Sequence, residues 1–131
     1  MNSKIPRKIE FPKIGNPTTG YISVAEKKNL LFIPKRIYWT YFTPEMVERG
    51  AHAHIELEQL IVAVSGTIEF TLINKQNERE IFILDNPDKG LYIPNGYWRE
   101  IKFSHNAVLL CMASEKYDEK DYIRDFNDFI K

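Results

Sequence analysis

Gly50-Ala51-His52-Ala53-His54-Ile55-Glu56-Leu57-Glu58 is the stretch on which the fold turns. In a strand, residues two apart project to the same face, so His52 and His54 present both imidazoles to one side of a sheet. Glu58 shares their parity if the extended conformation runs on without a bulge, and the apolar run Leu60 to Val64 then leads to Gly66. An isolated pair of histidines on a strand reads as two surface residues. Here Arg49 and Gly50 in front, Glu58 and Gln59 behind, and a second patterned segment downstream make the pair a site.

Working outward, the chain alternates or runs apolar in short bursts closed by turn residues, the pattern of strands. It predicts nine of them, at Gly20 to Ala25, Arg36 to Phe42, Ala51 to Ile55, Leu60 to Val64, Thr67 to Ile73, Glu80 to Leu84, Gly90 to Ile93, Glu100 to Phe103 and Ala107 to Ala113. Ser65-Gly66, Asn74 to Glu78, Asn86-Pro87-Asp88 and Pro94-Asn95-Gly96 favour tight or positive-φ backbone between them. The expected fold class is therefore all-β, an antiparallel sandwich or barrel. The tail from Glu115 to Lys131 reads as helical, with Tyr122, Phe126 and Phe129 on one face.

The chain has 131 residues, 44% of them hydrophobic, enough for one core and little more, so residues 1–131 are taken as a single domain. Eighteen Lys and Arg balance eighteen Asp and Glu, which leaves no net field to draw nucleic acid or a membrane surface. No run approaches the roughly 20 apolar residues of a membrane helix. The start MNSKIPRKIEF lacks a signal-peptide core, and a lone Cys111 inside AVLLCMA cannot form an internal disulfide, so the expected location is cytoplasmic. Cys111 reads as a small buried hydrophobe, and His105, in a polar Ser-His-Asn turn, as exposed.

H-x-H, an acid four residues on, then a strand and a glycine resembles the first motif of the cupin β-barrels. Gly90-Leu-Tyr-Ile-Pro94-Asn-Gly96-Tyr-Trp98-Arg99 resembles the second, with arginine where that motif ends in histidine. A guanidinium stays protonated, cannot ligate, and repels a cation held by the histidine pair, so no metal is expected. Two imidazoles in a partly dry cleft instead make an acid/base pair, because their pKa lies near working pH. Arg49 and Arg99 offer forks for phosphate oxygens. Tyr38, Trp39, Tyr41, Tyr97 and Trp98 offer flat faces for a sugar or base, although alternation turns about half of them away.

Over nearly its whole length the chain resembles the WxcM-like cupins that act as sugar-nucleotide 3,4-ketoisomerases. The resemblance rests on Arg36-Ile-Tyr38-Trp-Thr-Tyr41, on Arg49-Gly-Ala-His52-Ala-His54, on Leu84 to Pro94 and on the tail Tyr117 to Phe129. It implies an RmlC-like jelly-roll barrel with a short C-terminal helix that isomerises a dTDP-4-keto-6-deoxyhexose to its 3-keto isomer through an enediol, for 3-amino sugar synthesis. It implies no metal or organic cofactor, His54 as the base at C3, and His52 as the group that helps reprotonate C4. Tyr38 or Gln59 would stabilise the enediol oxygens, while Arg49, Trp98 and Arg99 are expected as substrate contacts from their own chemistry, two guanidinium forks and a flat indole. It further implies a homodimer that exchanges N-terminal strands. Thr18-Thr19-Gly20 and Trp98-Arg99-Glu100 depart from the family pattern and bear on substrate preference or product stereochemistry. The competing functions are a 3,5-epimerase of the same fold, a non-catalytic sugar-nucleotide-binding cupin and a metal-dependent cupin.

Overall fold

The computed structural model describes residues 4–131. Its strands are β1 (Arg7–Glu10), β2 (Lys13–Asn16), β3 (Gly20–Ser23), β4 (Arg36–Thr40), β5 (Glu48–His54), β6 (Gln59–Ser65), β7 (Ile68–Ile73), β8 (Arg79–Leu84), β9 (Lys89–Ile93), β10 (Trp98–Phe103), β11 (Val108–Ala113) and β12 (Tyr122–Ile123), and one helix, α1, spans Phe126–Ile130. All nine expected strands are present, most with ends displaced by one to three residues.

The strands form two five-stranded sheets, ordered β1-β9-β6-β11-β4 and β12-β5-β10-β7-β8, with β2 and β3 as a separate hairpin. Every pairing is antiparallel. Neighbours in a sheet are mostly distant in sequence, so the chain crosses repeatedly from one sheet to the other, the connectivity of a jelly roll.

Alternation decides what fills the space between the sheets. Ile61, Ala63, Leu91, Leu109 and Cys111 from the first sheet meet Phe70, Leu72, Leu84, Ile101 and Phe103 from the second. Leu60, Val62, Tyr92 and Met112 have the opposite parity and cover the outer face of the first sheet with Phe11. Ala53, Ile73 and Trp98 do the same for the second, beneath Phe129 of α1. Cys111 is fully buried, as its apolar setting predicts, and burial pushes its thiol up to about 11, so it stays uncharged at neutral pH.

The tail departs from the sequence reading. Tyr122 is not on the helix with Phe126 and Phe129 but on β12, which pairs with β5 in the register Tyr122↔His54 and Ile123↔Ala53. Asp125 caps α1 by accepting from the Asn127 N–H at 2.8 Å, so the helix starts only after that residue. The open edge of β5 supplies the hydrogen-bonding groups that hold Tyr122–Ile123 extended. β1 and β2 gave no sequence signal because Arg-Lys-Ile-Glu and Lys-Ile-Gly-Asn lack an apolar alternation. Among the described residues no helix is long and apolar enough to cross a membrane.

Candidate active site

A one-residue bulge in β5 sets the site. Against β10, Ile101 pairs with Arg49, Glu100 with Gly50 and Arg99 with His52, which leaves Ala51 as the extra residue. Gly50 and Ala51 adopt φ of 86° and 52°. Three residues apart on a regular strand, Arg49 and His52 would face opposite sides; the bulge turns both inward, opposite Ile101 and Arg99. A Cβ on Gly50 would sit 3.0 Å from the Arg99 carbonyl oxygen and 3.2 Å from Ile101. Gly50→Ala is therefore expected to cost roughly 1–3 kcal/mol in urea unfolding and to lower turnover by re-aiming His52. Gly96, with φ of 84° but nothing near its Cβ, provides the comparison: Gly96→Ala should cost less. Equal costs would mean that the bulge tolerates a side chain.

The second patterned segment clasps the end of β5. The Gly96 N–H donates to the His54 carbonyl at 2.9 Å, and the Asn95 side chain donates to the Ile55 carbonyl at 2.9 Å. His52 and His54 consequently lie side by side, ring centroids 4.8 Å apart and nearly perpendicular. His54 is 1% exposed, and its Nδ1 lies 2.9 Å from Oδ2 of Asp121. His52 Nδ1 lies 2.9 Å from the Gly50 carbonyl oxygen, an acceptor, so this nitrogen carries the proton. The Tyr122 ring packs against both imidazoles at 5.0 and 4.5 Å. Its other neighbour is the Arg124 guanidinium, 4.2 Å from the ring centroid and held by the Glu119 carboxylate at 2.7 and 2.9 Å.

A cavity of about 90 Å³ opens beside the pair, lined by Tyr38, Arg49, His52, Gln59 and Arg99. Gln59 donates to the Tyr38 hydroxyl at 2.8 Å, and Arg99 Nη1 donates to the Gln59 side-chain oxygen while its Nη2 donates to the Tyr97 carbonyl at 3.0 Å. Arg99 is 1% exposed, and among the described residues no carboxylate pairs with it. Burial lowers even this guanidinium, to about 10, which leaves it a cation at neutral pH. Burial foremost, then the Arg99 charge, pushes His52 down to about 4 and His54 down to about 2. The Asp121 carboxylate favours an imidazolium, but desolvation outweighs it in the resting site, so both rings are neutral. Burial also pushes the Tyr38 hydroxyl up, so it is a hydrogen-bond donor and not a phenolate.

The donor set does not suit a metal. Among the described residues no group of three His, Cys, Asp or Glu side chains is arranged to hold a metal ion: Asp121 faces the Nδ1 of His54, and the groups beside His52 at the cavity are an amide and a guanidinium.

The family model described as WxcM-like, C-terminal matches residues 2–131. The chain belongs to the WxcM-like family. It is 38% identical to the TDP-4-oxo-6-deoxy-alpha-D-glucose-3,4-oxoisomerase of Aneurinibacillus thermoaerophilus, over 100% of this chain and 92% of that protein. Among solved structures, a 3,4-ketoisomerase from Helicobacter canadensis superposes with a TM-score of 0.89 at 38% identity, covering 95% of this chain and 94% of that one. A His-to-Asn variant of the 3,4-ketoisomerase QdtA from Thermoanaerobacterium thermosaccharolyticum, in complex with TDP-4-keto-6-deoxyglucose, superposes with a TM-score of 0.89 at 34% identity, covering 95% and 91%. The dTDP-4-dehydrorhamnose 3,5-epimerase of Bacillus anthracis shares the fold at 15% identity and a TM-score of 0.79, covering 89% and 76%. The fold is thus the RmlC-like cupin barrel.

In this WxcM-like chain, the structure places Tyr38, Arg49, His52, Gln59 and Arg99 around the cavity, with His54 buried against His52 and outside the cavity lining. Trp98 does not join them. It neighbours Arg99 on β10, so the pleat points it to the outer face, 5.2 Å from Phe126 and 6.0 Å from Phe129 by ring centroids. Glu58 is not in the cavity either. The chain turns between β5 and β6, which reverses its phase, and Glu58 instead accepts from the Tyr92 hydroxyl at 2.6 Å and pairs with Lys4 at 2.8 Å. Trp39 and Tyr41 are 60% and 55% exposed, away from the cavity, and His105 is exposed in its turn. Asp121 and Tyr122 were missed, because in sequence they belong to a tail that reads as one helix face.

Proposed function

We propose that this chain is a 3,4-ketoisomerase that converts a dTDP-4-keto-6-deoxyhexose to the 3-keto isomer without metal or organic cofactor. The observation that carries this reading is a pair of neutral imidazoles 4.8 Å apart, one of which, His52, lines a cavity that also contains the buried, carboxylate-free Arg99 cation. The relatives named as 3,4-ketoisomerases support the substrate class.

The reaction moves hydrogen and changes no overall oxidation state. His54 Nε2 takes the C3 proton, leaving an enediolate on O4, and then protonates O4 to give the enediol. His52 Nε2 takes the O3 hydroxyl proton and delivers it to C4, which closes the C3 carbonyl and restores both rings. Charge develops on the two oxygens in turn. The Tyr38 hydroxyl, which accepts from Gln59 and keeps its own proton to donate, supplies a hydrogen bond there, and the Arg99 charge, relayed through the Gln59 amide that holds Tyr38, stabilises the anion in a poorly hydrated site. Arg49, exposed at the cavity rim, is placed for the diphosphate. Carbon NMR of the product of dTDP-4-keto-6-deoxyglucose tests the reading: the ketone signal should move to C3. A ketone left at C4 with a changed configuration at C5 would make the protein an epimerase.

The lowered histidines fix the pH dependence. Activity needs unprotonated rings, and a lower pKa keeps them unprotonated to lower pH, so kcat/KM should stay level from pH 8 to about 5 and fall only towards 4. Stability behaves differently. The unfolded rings take up protons below about 6.5 while the folded ones do not, so stability is full above that pH. It then falls by up to about 1.4 kcal/mol per ring for each pH unit towards 4. Melting curves between pH 8 and 4 check this, and an acid limb near 6.5 in kcat/KM would contradict it.

We also propose a cytoplasmic homodimer with exchanged N-terminal strands, serving 3-amino deoxysugar synthesis for surface polysaccharide. Ile37, Trp39 and Val64 leave an apolar outer face on the first sheet, and the β2–β3 hairpin exposes Ile14 and Ile22. Light scattering should return twice the 15.4 kDa chain mass; a monomer would remove this part.

A further inference from the structure

Asp121 lies 67 residues beyond His54 in the chain and meets it at Nδ1. Its carboxylate is held on every side. Oδ1 accepts the Glu56 N–H at 2.7 Å, and Oδ2 accepts the Leu57 N–H at 3.3 Å as well as facing the imidazole at 2.9 Å. Its own carbonyl accepts the Ile55 N–H at 2.9 Å, and its N–H donates to Asp118 at 3.0 Å. Both carboxylate oxygens are therefore committed as acceptors, with 13% of the side chain exposed. A carboxylate in that position has no proton to give, so the nitrogen facing it must supply one.

We infer that Asp121 is a positioning residue for the isomerisation: it fixes His54 in the Nδ1–H tautomer, keeps Nε2 as the free base, and balances the imidazolium after proton uptake. This rests on the proposed role of His54 and adds the residue that prepares it. The resting site disfavours a charged His54, so the base becomes useful only if something stabilises the ring once it has the proton. Asp121 is the anion in contact with it. The turn Asp118 to Asp121 and the pairing of β12 with β5 then act as a brace, bringing that anion to the end of the strand that bears the base.

Asp121→Asn separates positioning from folding. The amide oxygen can keep the Glu56 N–H, which leaves the amide NH2 towards His54, and an NH2 there donates to Nδ1 and drives the proton to Nε2. The expected result is a fall in kcat on the order of 10²–10⁴-fold with KM for dTDP-4-keto-6-deoxyglucose nearly unchanged. Nitrogen-15 NMR of labelled histidine provides a readout that a purely structural role would not move. In the wild type, His54 should show a protonated Nδ1 and a bare Nε2, and the variant should show the reverse. A wild-type His54 protonated at Nε2, or an Asp121→Asn enzyme turning over at the wild-type rate, overturns the inference. If the variant does not fold, the wild-type tautomer still decides. If wild-type protein leaves dTDP-4-keto-6-deoxyglucose unchanged, the proposed function falls, and the tautomer measurement continues to support or overturn the geometry assigned to Asp121.

Discussion

His54→Asn should lower turnover of dTDP-4-keto-6-deoxyglucose by about two to four orders of magnitude, the usual share of a positioned acid or base. Asparagine is smaller, neutral and unable to accept a proton from carbon. The His54 ring is buried between Asp121, His52 and Tyr122, so no water molecule from bulk solvent substitutes for it directly. Affinity for dTDP should change little, because the groups assigned to the diphosphate lie on the rim at Arg49. Steady-state kinetics alongside a dTDP titration separates the two effects. A variant that keeps both affinity and turnover would show that His54 is not the base, and a variant that loses affinity alone would move His54 from chemistry to recognition. The complex of a His-to-Asn variant of QdtA with TDP-4-keto-6-deoxyglucose supports the expectation that such a substitution spares binding.

Arg99→Met should separate activity from stability. Arg99 is fully buried without a carboxylate partner, an arrangement that ordinarily costs the fold free energy. Methionine fills similar space and removes that cost, but leaves the Gln59 side-chain oxygen and the Tyr97 carbonyl without their donor. These effects oppose one another, so stability in urea should stay within about 2 kcal/mol of the wild type. Turnover should fall by roughly 10²–10³, the effect of removing one preorganised stabiliser of a developing oxyanion. A loss of several kcal/mol with normal turnover would instead identify Arg99 as a structural strut beneath Gln59.

Much of the fold and half of the site's logic could be read from the residues themselves. β6 and β11 are legible as short continuous apolar runs because each buries one face between the sheets and part of the other under an outer cluster. β7 alternates because Ile68, Phe70 and Leu72 face the core and Glu69 and Thr71 do not. The H-x-H pair is legible because a period of two is a property of the strand alone. For Trp98 the sequence itself carries the answer: next to Arg99 on β10 it cannot share a face with it, so one of the two points outwards. Arg49 shows the reverse. Parity alone turns it away from His52, and only the bulge at Ala51 brings them together, a feature signalled by no more than the preceding glycine.

Asp121 and Tyr122 illustrate what remains hidden in a single sequence. An acidic residue and a tyrosine in a polar tail are compatible with a helix. Their capture by β5 depends on an unpaired strand edge far away in the chain, which no local pattern records. β1 is similar: its polar residues become a strand because β9 offers an edge, with Ile9 opposite Gly90.

The most direct test of the central claim is to supply dTDP-4-keto-6-deoxyglucose carrying deuterium at C3 and to follow both carbons by proton NMR in ordinary water. Proton transfer through the histidine pair predicts that the wild type releases the label from C3 and places a solvent-derived proton on C4 as the ketone moves. His54→Asn should do neither at a comparable rate. Deuterium retained at C3 by active wild-type protein, or label transferred intact to C4, would contradict a mechanism in which His54 exchanges its proton through O4 and His52 delivers the hydroxyl proton to carbon.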